Sequence, residues 1–303
     1  MNIIGKRFWF FAISALIIVV GFISLATFGL RYGIEFSSGS ILRVSFEQAV
    51  ALGDLRQELS NLGYGNALIQ HTEAGDYIIR THELDREEKT VLEEALVAKF
   101  GQLQETEFNT VSPMVARETA QNAAIAVAVA AIGILLYITW AFHRMPKPFH
   151  YGTCAVIALV HDTLMALGVF SIIGGLLGWE VDLKFIIGIL AVIGYSVNNT
   201  VVVFDRIREN QALGVSPDFE VVVNRSLVET LSRSLNTSLT TLFVVLALML
   251  FVGVAIQNFA AVLLIGIVAG TFSSIGIAPS LLVVWERGEW GRFLQWLPLR
   301  GKS

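Results

Sequence analysis

Three groups of polar side chains stand where this chain is otherwise apolar, and these are the residues able to do chemistry. His161 and Asp162 share one apolar run, Asn198 and Asn199 the next, and Arg233 leads to Thr237, Thr240 and Thr241 in a third. A carboxyl beside an imidazole can take up and release a proton, with an affinity set by its surroundings. An amide cannot exchange a proton near neutral pH, so Asn199 can orient water or join helices. Arg233 stays charged, and a threonine stripe leading from it could line a hydrated path.

Each group also has a plainer reading. Asp162 can be a buried acid, neutral or paired with His161, that fixes packing. For Asn199 an interhelical hydrogen bond of about 1 kcal/mol or less is the better account. Arg233 can snorkel to the interface above threonines that bond back to their own helix. No phosphate loop, zincin motif, nucleophile elbow or paired-cysteine site occurs, so neither a cofactor, a metal nor an enzymatic activity is expected. Cys154 is the only cysteine and excludes an intrachain disulfide.

The elements that hold these groups are membrane spans. The chain has 303 residues, 54% hydrophobic and 15% charged, with a net charge of -4, which favours neither nucleic acid nor an acidic partner. Six apolar runs approach the ~20 residues a hydrocarbon core requires. They cover Phe8–Leu30, Ala123–Phe142, Tyr151–Gly178, Phe185–Phe204, Asn236–Ile256 and Phe259–Trp285. The first is too long for a signal-peptide core and reads as an uncleaved anchor. Asp162 falls near the middle of span three, on a helical face with Ala155, Ala158 and Ala166, which predicts a close helix contact. Gly188, Tyr195, Ser196 and Asn199 share a side of span four. Gly266 and Gly270 form a small-residue pair in span six.

Lysine and arginine placement predicts orientation. Lys6 and Arg7 precede span one, His143, Arg144 and Lys147 join spans two and three, Arg206, Arg208, Arg225 and Arg233 lie between spans four and five, and Arg287, Arg292, Arg300 and Lys302 follow span six. Both termini are then cytoplasmic, and residues 31–122 lie outside. The resulting division is 1–30 for the N-terminus and first helix, 31–122 for the outer domain, 123–285 for helices two to six, and 286–303 for a cytoplasmic tail.

Alternation over Ile41–Phe46 predicts a strand, and Leu52, Leu55, Leu59 and Leu62 a helix stopped by Gly63. Asn66–His71 and Asp76–His82 read as strands around the turn Glu73-Ala74-Gly75. Asp85 caps a helix with Leu92, Ala95, Leu96 and Phe100, and Gln104–Val111 is a last strand. The order βαββαβ predicts a small α+β, ferredoxin-like domain. His71 and His82 read as surface residues at strand ends. Tyr32–Ser40 reads as a turn into the first strand.

These residues carry a resemblance. Ile193–Asn210 is similar to the motif IGYS-x-NDT-VVVFDRIREN of the SecF family, the smaller subunits of bacterial SecDF export complexes in the resistance-nodulation-division superfamily. Glu229–Thr241 is similar to that family's ETLSR-x-x-NTSLTT, His161-Asp162 to its His-Asp pair, and Gly33-Ile34-Glu35-Phe36-Ser37-Ser38-Gly39 to its GIDFTGG motif. The resemblance covers nearly the whole chain, and Asn198, Asp205 and Arg206 belong to its longest motif. It implies a multi-pass subunit of the bacterial inner membrane, paired with SecD. That pair would use the proton gradient to promote preprotein export through the SecYEG channel after the SecA-driven, ATP-dependent step, with YajC and YidC as further partners. The family's proton-linked residues are an Asp and an Arg. Arg233 matches the Arg, but Asn199 stands where the Asp is expected. Coupling is then expected from Arg233, Asp162 and acids of SecD. Half of a small-molecule or lipid exporter, or a structural subunit without its own proton path, are the competing readings.

Overall fold

The computed structural model describes residues 1–72, 75–252 and 256–291. Within these the helices are α1 (Arg7–Thr27), α2 (Ile34–Ser37), α3 (Leu52–Asn61), α4 (Arg86–Phe100), α5 (Pro113–Ala141), α6 (Pro148–Leu177), α7 (Leu183–Ala212), α8 (Phe219–Phe251), α9 (Gln257–Gly276) and α10 (Ala278–Arg287). The strands are β1 (Gly39–Phe46), β2 (Leu68–His71), β3 (Tyr77–Thr81) and β4 (Leu103–Val111). The chain forms two compact units, Tyr32–Ala124 and the remainder.

Among the described residues, six helical stretches are long and apolar enough to cross a membrane, with α9 and α10 counted together. Two of them begin well before the apolar runs that predict them, α5 at Pro113 rather than Ala123 and α8 at Phe219 rather than Asn236. Apolar composition marks the hydrocarbon zone, but backbone hydrogen bonding continues until a stop signal ends it. Pro113 starts α5, and the Asp218 carboxylate caps α8 by accepting from the Glu220 amide at 3.0 Å. The last span breaks at Ile277, where Pro279 lies in the first turn of α10 and lacks the amide needed to continue α9. Residues 253–255 at the end of span five, and 292–303 with Arg292, Arg300 and Lys302, lie outside the described residues.

Helix directions can be read from paired contacts. Ser14 meets His161, Gly21 meets Gly168, Ser24 meets Ser171, and Phe28 meets Gly175, so α1 and α6 advance together and run parallel. Gly188 meets Val262, Val192 meets Gly266, and Ser196 meets Gly270, so α7 and α9 are parallel as well. Asn199 pairs with Ser238, and Asn210 with Ser226, so α7 and α8 are antiparallel. These directions alternate as successive spans of one chain must. Small residues make both parallel seams possible: a Cβ on Gly168 would lie 2.7 Å from the Gly21 Cα, and one on Gly266 2.1 Å from a Val192 methyl.

In the smaller unit the antiparallel sheet order is β2-β3-β1-β4. Leu42, Val44, Tyr77 and Ile79 alternate onto one face and are buried with Leu55 and Leu59 of α3 and Leu92 and Leu96 of α4. Asp85 caps α4 in a reciprocal capping box with Glu88. Where the sequence suggests a simple turn before β1, a four-residue helix, α2, intervenes and ends at Ser38 with φ +63°. Gly39 follows at φ +115°, and a Cβ there would sit 2.5 Å from the Thr81 carbonyl oxygen, so this position of the glycine-bearing segment demands glycine. Of the turn Glu73-Ala74-Gly75, Glu73 and Ala74 lie outside the described residues. His71 and His82 are exposed and rest on Tyr77 and Tyr64.

Candidate functional site

The polar residues of the larger unit separate into an interior set and an exposed set. At the centre of the interior set is Asp162 of α6, 1% exposed. Its Oδ2 accepts hydrogen bonds from the Ser196 hydroxyl of α7 at 2.5 Å and the Ser273 hydroxyl of α9 at 2.7 Å. Its Oδ1 lies 2.9 Å from His161 Nδ1, and His161 Nε2 lies 2.9 Å from the Ser14 hydroxyl of α1. Four helices thus close around one carboxyl. Ala155, Ala158 and Ala166 are all buried on its helix, which is why its neighbours can approach so closely.

Hydrogen bonds offset part of the cost of burying this carboxyl. Removing one ion from water costs several kcal/mol even after relaxation. A hydrogen bond to a charged group contributes about 1.5–3 kcal/mol, so three donors come close to offsetting an ionised Asp162. A carboxylate without those donors would be driven to neutrality.

One turn further along α7, the Asn199 amide donates to the Ser238 hydroxyl at 3.5 Å, and Thr271 donates to the same Ser238 oxygen at 2.7 Å. Position 199 therefore joins α7, α8 and α9. Asn198, its neighbour in sequence, is exposed. Toward the end of α7, Arg206 donates to Glu229 and Glu209, Asn210 donates to Glu229 and Ser226, and Arg225 also reaches Glu229. Asp205 pairs with Arg208. The motif residues Asp205 and Arg206 thus belong to a knot of ion pairs at the α7–α8 end.

Arg233, Thr237 and Thr240 lie elsewhere. All three are on the exposed side of α8, whose buried side carries Ser234, Ser238 and Val245. The Thr240 and Thr241 hydroxyls donate back to the Thr237 carbonyl, both at 2.9 Å. Glu35 lies in α2 of the smaller unit, between Gly33, its N-cap, and Gly39 of β1.

Ser14 and Ser273 were not legible as site residues. A lone serine in an apolar span is common, and only its contact with Asp162 or His161 distinguishes it. Arg7 was legible only as an orienting cation. It is 4% exposed and binds Glu220 and Glu289, while Arg287 binds Asp218 and Glu220. The Arg287 guanidinium holds the Asp218 carboxyl below its ordinary range. Among the described residues no group of histidine, cysteine, aspartate and glutamate could hold a metal ion.

Comparison with known proteins fits this arrangement. The family profile described as protein export membrane protein SecD/SecF, C-terminal, matches residues 91–288, and the SecD/SecF GG motif matches residues 23–50. A protein translocase subunit SecF of Thermobaculum terrenum is 43% identical, with 97% of each chain covered, and one of Anaerolinea thermophila is 41% identical over 96% of each. A crystal structure of a Thermus SecDF, described as a translocon-associated membrane protein, matches with TM-score 0.82 at 31% identity over 95% of this chain. The match spans only 39% of that longer chain. A SecDF crystal structure in a super-membrane-facing form matches with TM-score 0.66 at 29% identity. A family profile over residues 91–288 and near-complete matches to these relatives place it in one family: the chain belongs to the SecD/SecF family of protein-export membrane proteins.

Proposed function

We propose that this chain is the SecF-type subunit of a bacterial inner-membrane SecDF complex that promotes preprotein export through the Sec channel with the energy of the proton gradient. The near full-length match to translocase subunits SecF at 43% and 41% identity carries this reading. Both termini are cytoplasmic, residues 31–122 form an outer domain, and the strand order of that domain, with its two helices on one face, supports a ferredoxin-like assignment. SecD is the partner, corresponding to the part of the SecDF chain that this one does not span. SecYEG, SecA, YajC and YidC enter through that complex.

The exposed side of α8 is where SecD docks. Lipid tails cannot satisfy Arg233, Asn236 and Thr237 along one helix side, and neighbouring Asn198 of α7 is exposed too. A protein partner with a carboxylate opposite Arg233 satisfies them. Because position 199 holds an amide bonded to Ser238, the exchangeable acid facing Arg233 comes from SecD.

Reconstituted vesicles carrying the SecD–SecF pair test this. Arg233→Ala is expected to reduce gradient-driven translocation and proton flux at least tenfold, while Asn199→Asp keeps or raises both. Unchanged translocation and flux in Arg233→Ala would overturn the coupling role.

A further inference from the structure

The cluster around Asp162 does not touch the Arg233 face, and its hydrogen bonding has a property of its own. His161 lies between two oxygens, Asp162 Oδ1 on one side and Ser14 Oγ on the other, each at 2.9 Å. Consider the pair with one proton beyond the ionised state. Whether that proton sits on the carboxyl or on the imidazole, Nε2–H donates to Ser14 and Oδ2 still accepts from Ser196 and Ser273. Now remove it. Nδ1–H still donates to Oδ1, Oδ2 keeps both serine donors, and Nε2 accepts from the Ser14 hydroxyl instead. Both ring nitrogens and both carboxyl oxygens keep a partner in each state, and the change is a turn of the Ser14 hydroxyl from acceptor to donor.

No fixed charge competes for the site. On α1 the nearest charged residue is Arg7, engaged by Glu220 and Glu289. On α6 the other titratable groups are His150, Tyr151 and Cys154, more than a turn away toward the helix start. On α7, Tyr195 precedes Ser196, Lys184 lies near the helix start, and Asp205, Arg206, Arg208 and Glu209 lie more than two turns beyond Ser196, in the ion pairs at the α7–α8 end. Helix α9 carries no titratable residue, and α10, which also borders α6, holds Glu286 and Arg287 only at its far end. Among the described residues the buried pair therefore has neither a permanent counter-cation nor a second acid.

We propose that Asp162 and His161 form a proton-exchange site inside this subunit, separate from the Arg233 face, in which Ser14 of α1 is the positioning group at the exchange point. In the unloading step the Nε2–H bond of the imidazolium breaks and the proton passes by way of the Ser14 hydroxyl to water. The electron pair left on Nε2 then accepts the turned Ser14 hydroxyl. Loading is the reverse, with hydronium as the donor. Unloading leaves a net negative charge on α6, which tightens the Ser196 and Ser273 bonds to α7 and α9 and reverses the bond to α1. The role in export rests on the function proposed above, whereas the exchange itself does not.

The test is pH-difference infrared spectroscopy of the purified SecD–SecF pair in lipid, combined with the pH profile of proton flux. A carboxyl–imidazole signal is expected that disappears in Asp162→Asn and His161→Gln and shifts along the pH axis in Ser14→Ala, with flux falling at least tenfold in Asp162→Asn. Ser14→Ala removes one hydroxyl and keeps the proposal testable if Asp162→Asn fails to assemble. A signal and flux profile unchanged in Asp162→Asn, or unchanged in Ser14→Ala when Asp162→Asn does not fold, would overturn the site. A titrating Asp162 signal in a complex that exports nothing would overturn only the export reading.

Discussion

A side chain's neighbours decide what it can do, and Asp162 and Asn199 illustrate the range. Both are buried, one turn apart in the stack of helices, yet one receives three hydrogen-bond partners and the other a single long one. The sequence shows both as polar residues in apolar runs and cannot rank them, because the deciding partners, Ser14 and Ser273, are far away along the chain. In the smaller unit the electrostatics are more ordinary. Lys89 donates to Glu105 at 2.5 Å, which holds the Glu105 carboxyl below and the Lys89 ammonium above their usual values. A depressed carboxyl stabilises the fold above its unfolded value and loses that contribution as pH falls through the folded one. A raised ammonium loses it as pH rises through its folded value. The pair's contribution is thus complete between about pH 4.3 and 10.4. Nearby Glu93 is pushed up by burial and opposes this in acid, contributing only below its raised value. Lys89→Ala is expected to move the Glu105 titration upward while costing about 1 kcal/mol or less near neutrality, as NMR titration and thermal melting would show. A Glu105 titration that stays in place would contradict the pairing.

Elements in the membrane are held by shape more than by hydrophobicity, since lipid tails are as apolar as the helix faces. The α1–α6 seam repeats small residues at a fixed offset, from Ser14 with His161 to Phe28 with Gly175, and its tightest point is Gly21 against Gly168. Gly168→Ala forces backbone against backbone and is expected to destabilise the chain by about 1–3 kcal/mol. The same substitution weakens the Ser14–His161 contact on the same seam. Gly133→Ala on α5, where an added Cβ meets nothing within 4 Å, is the control and is expected to be neutral or slightly stabilising. Thermal unfolding of the purified chain in detergent measures both, and equal effects would refute the seam. The number of spans was legible because hydrophobic runs of this length have few other uses. Their starts and the break at Ile277 were not, because capping and proline, rather than hydropathy, end a helix.

For the whole molecule, the proposed function makes the exposed polar side of α8 the face that meets the SecD partner. Thr240→Cys is expected to form a disulfide with cysteine-scanned SecD in membranes. Trp9→Cys, placed on an exposed apolar part of α1 suited to lipid, is expected not to. The buried Cys154 provides no competing thiol. Cross-linking from Trp9 and none from Thr240 would move the SecD interface to another face.

By itself the sequence determined the membrane class, the six spans, the alternation of strands and helices in the smaller unit, and the family. Each of these is written in local periodicity or in contiguous motifs such as Ile193–Asn210. Only the tertiary structure decided that Asp162 is enclosed by four helices, that Asn199 is a joint between α7, α8 and α9, and that Arg233 faces away from both. Those outcomes depend on which helix faces meet. That choice is made by small residues and single serines whose significance appears only when segments more than a hundred residues apart are in contact.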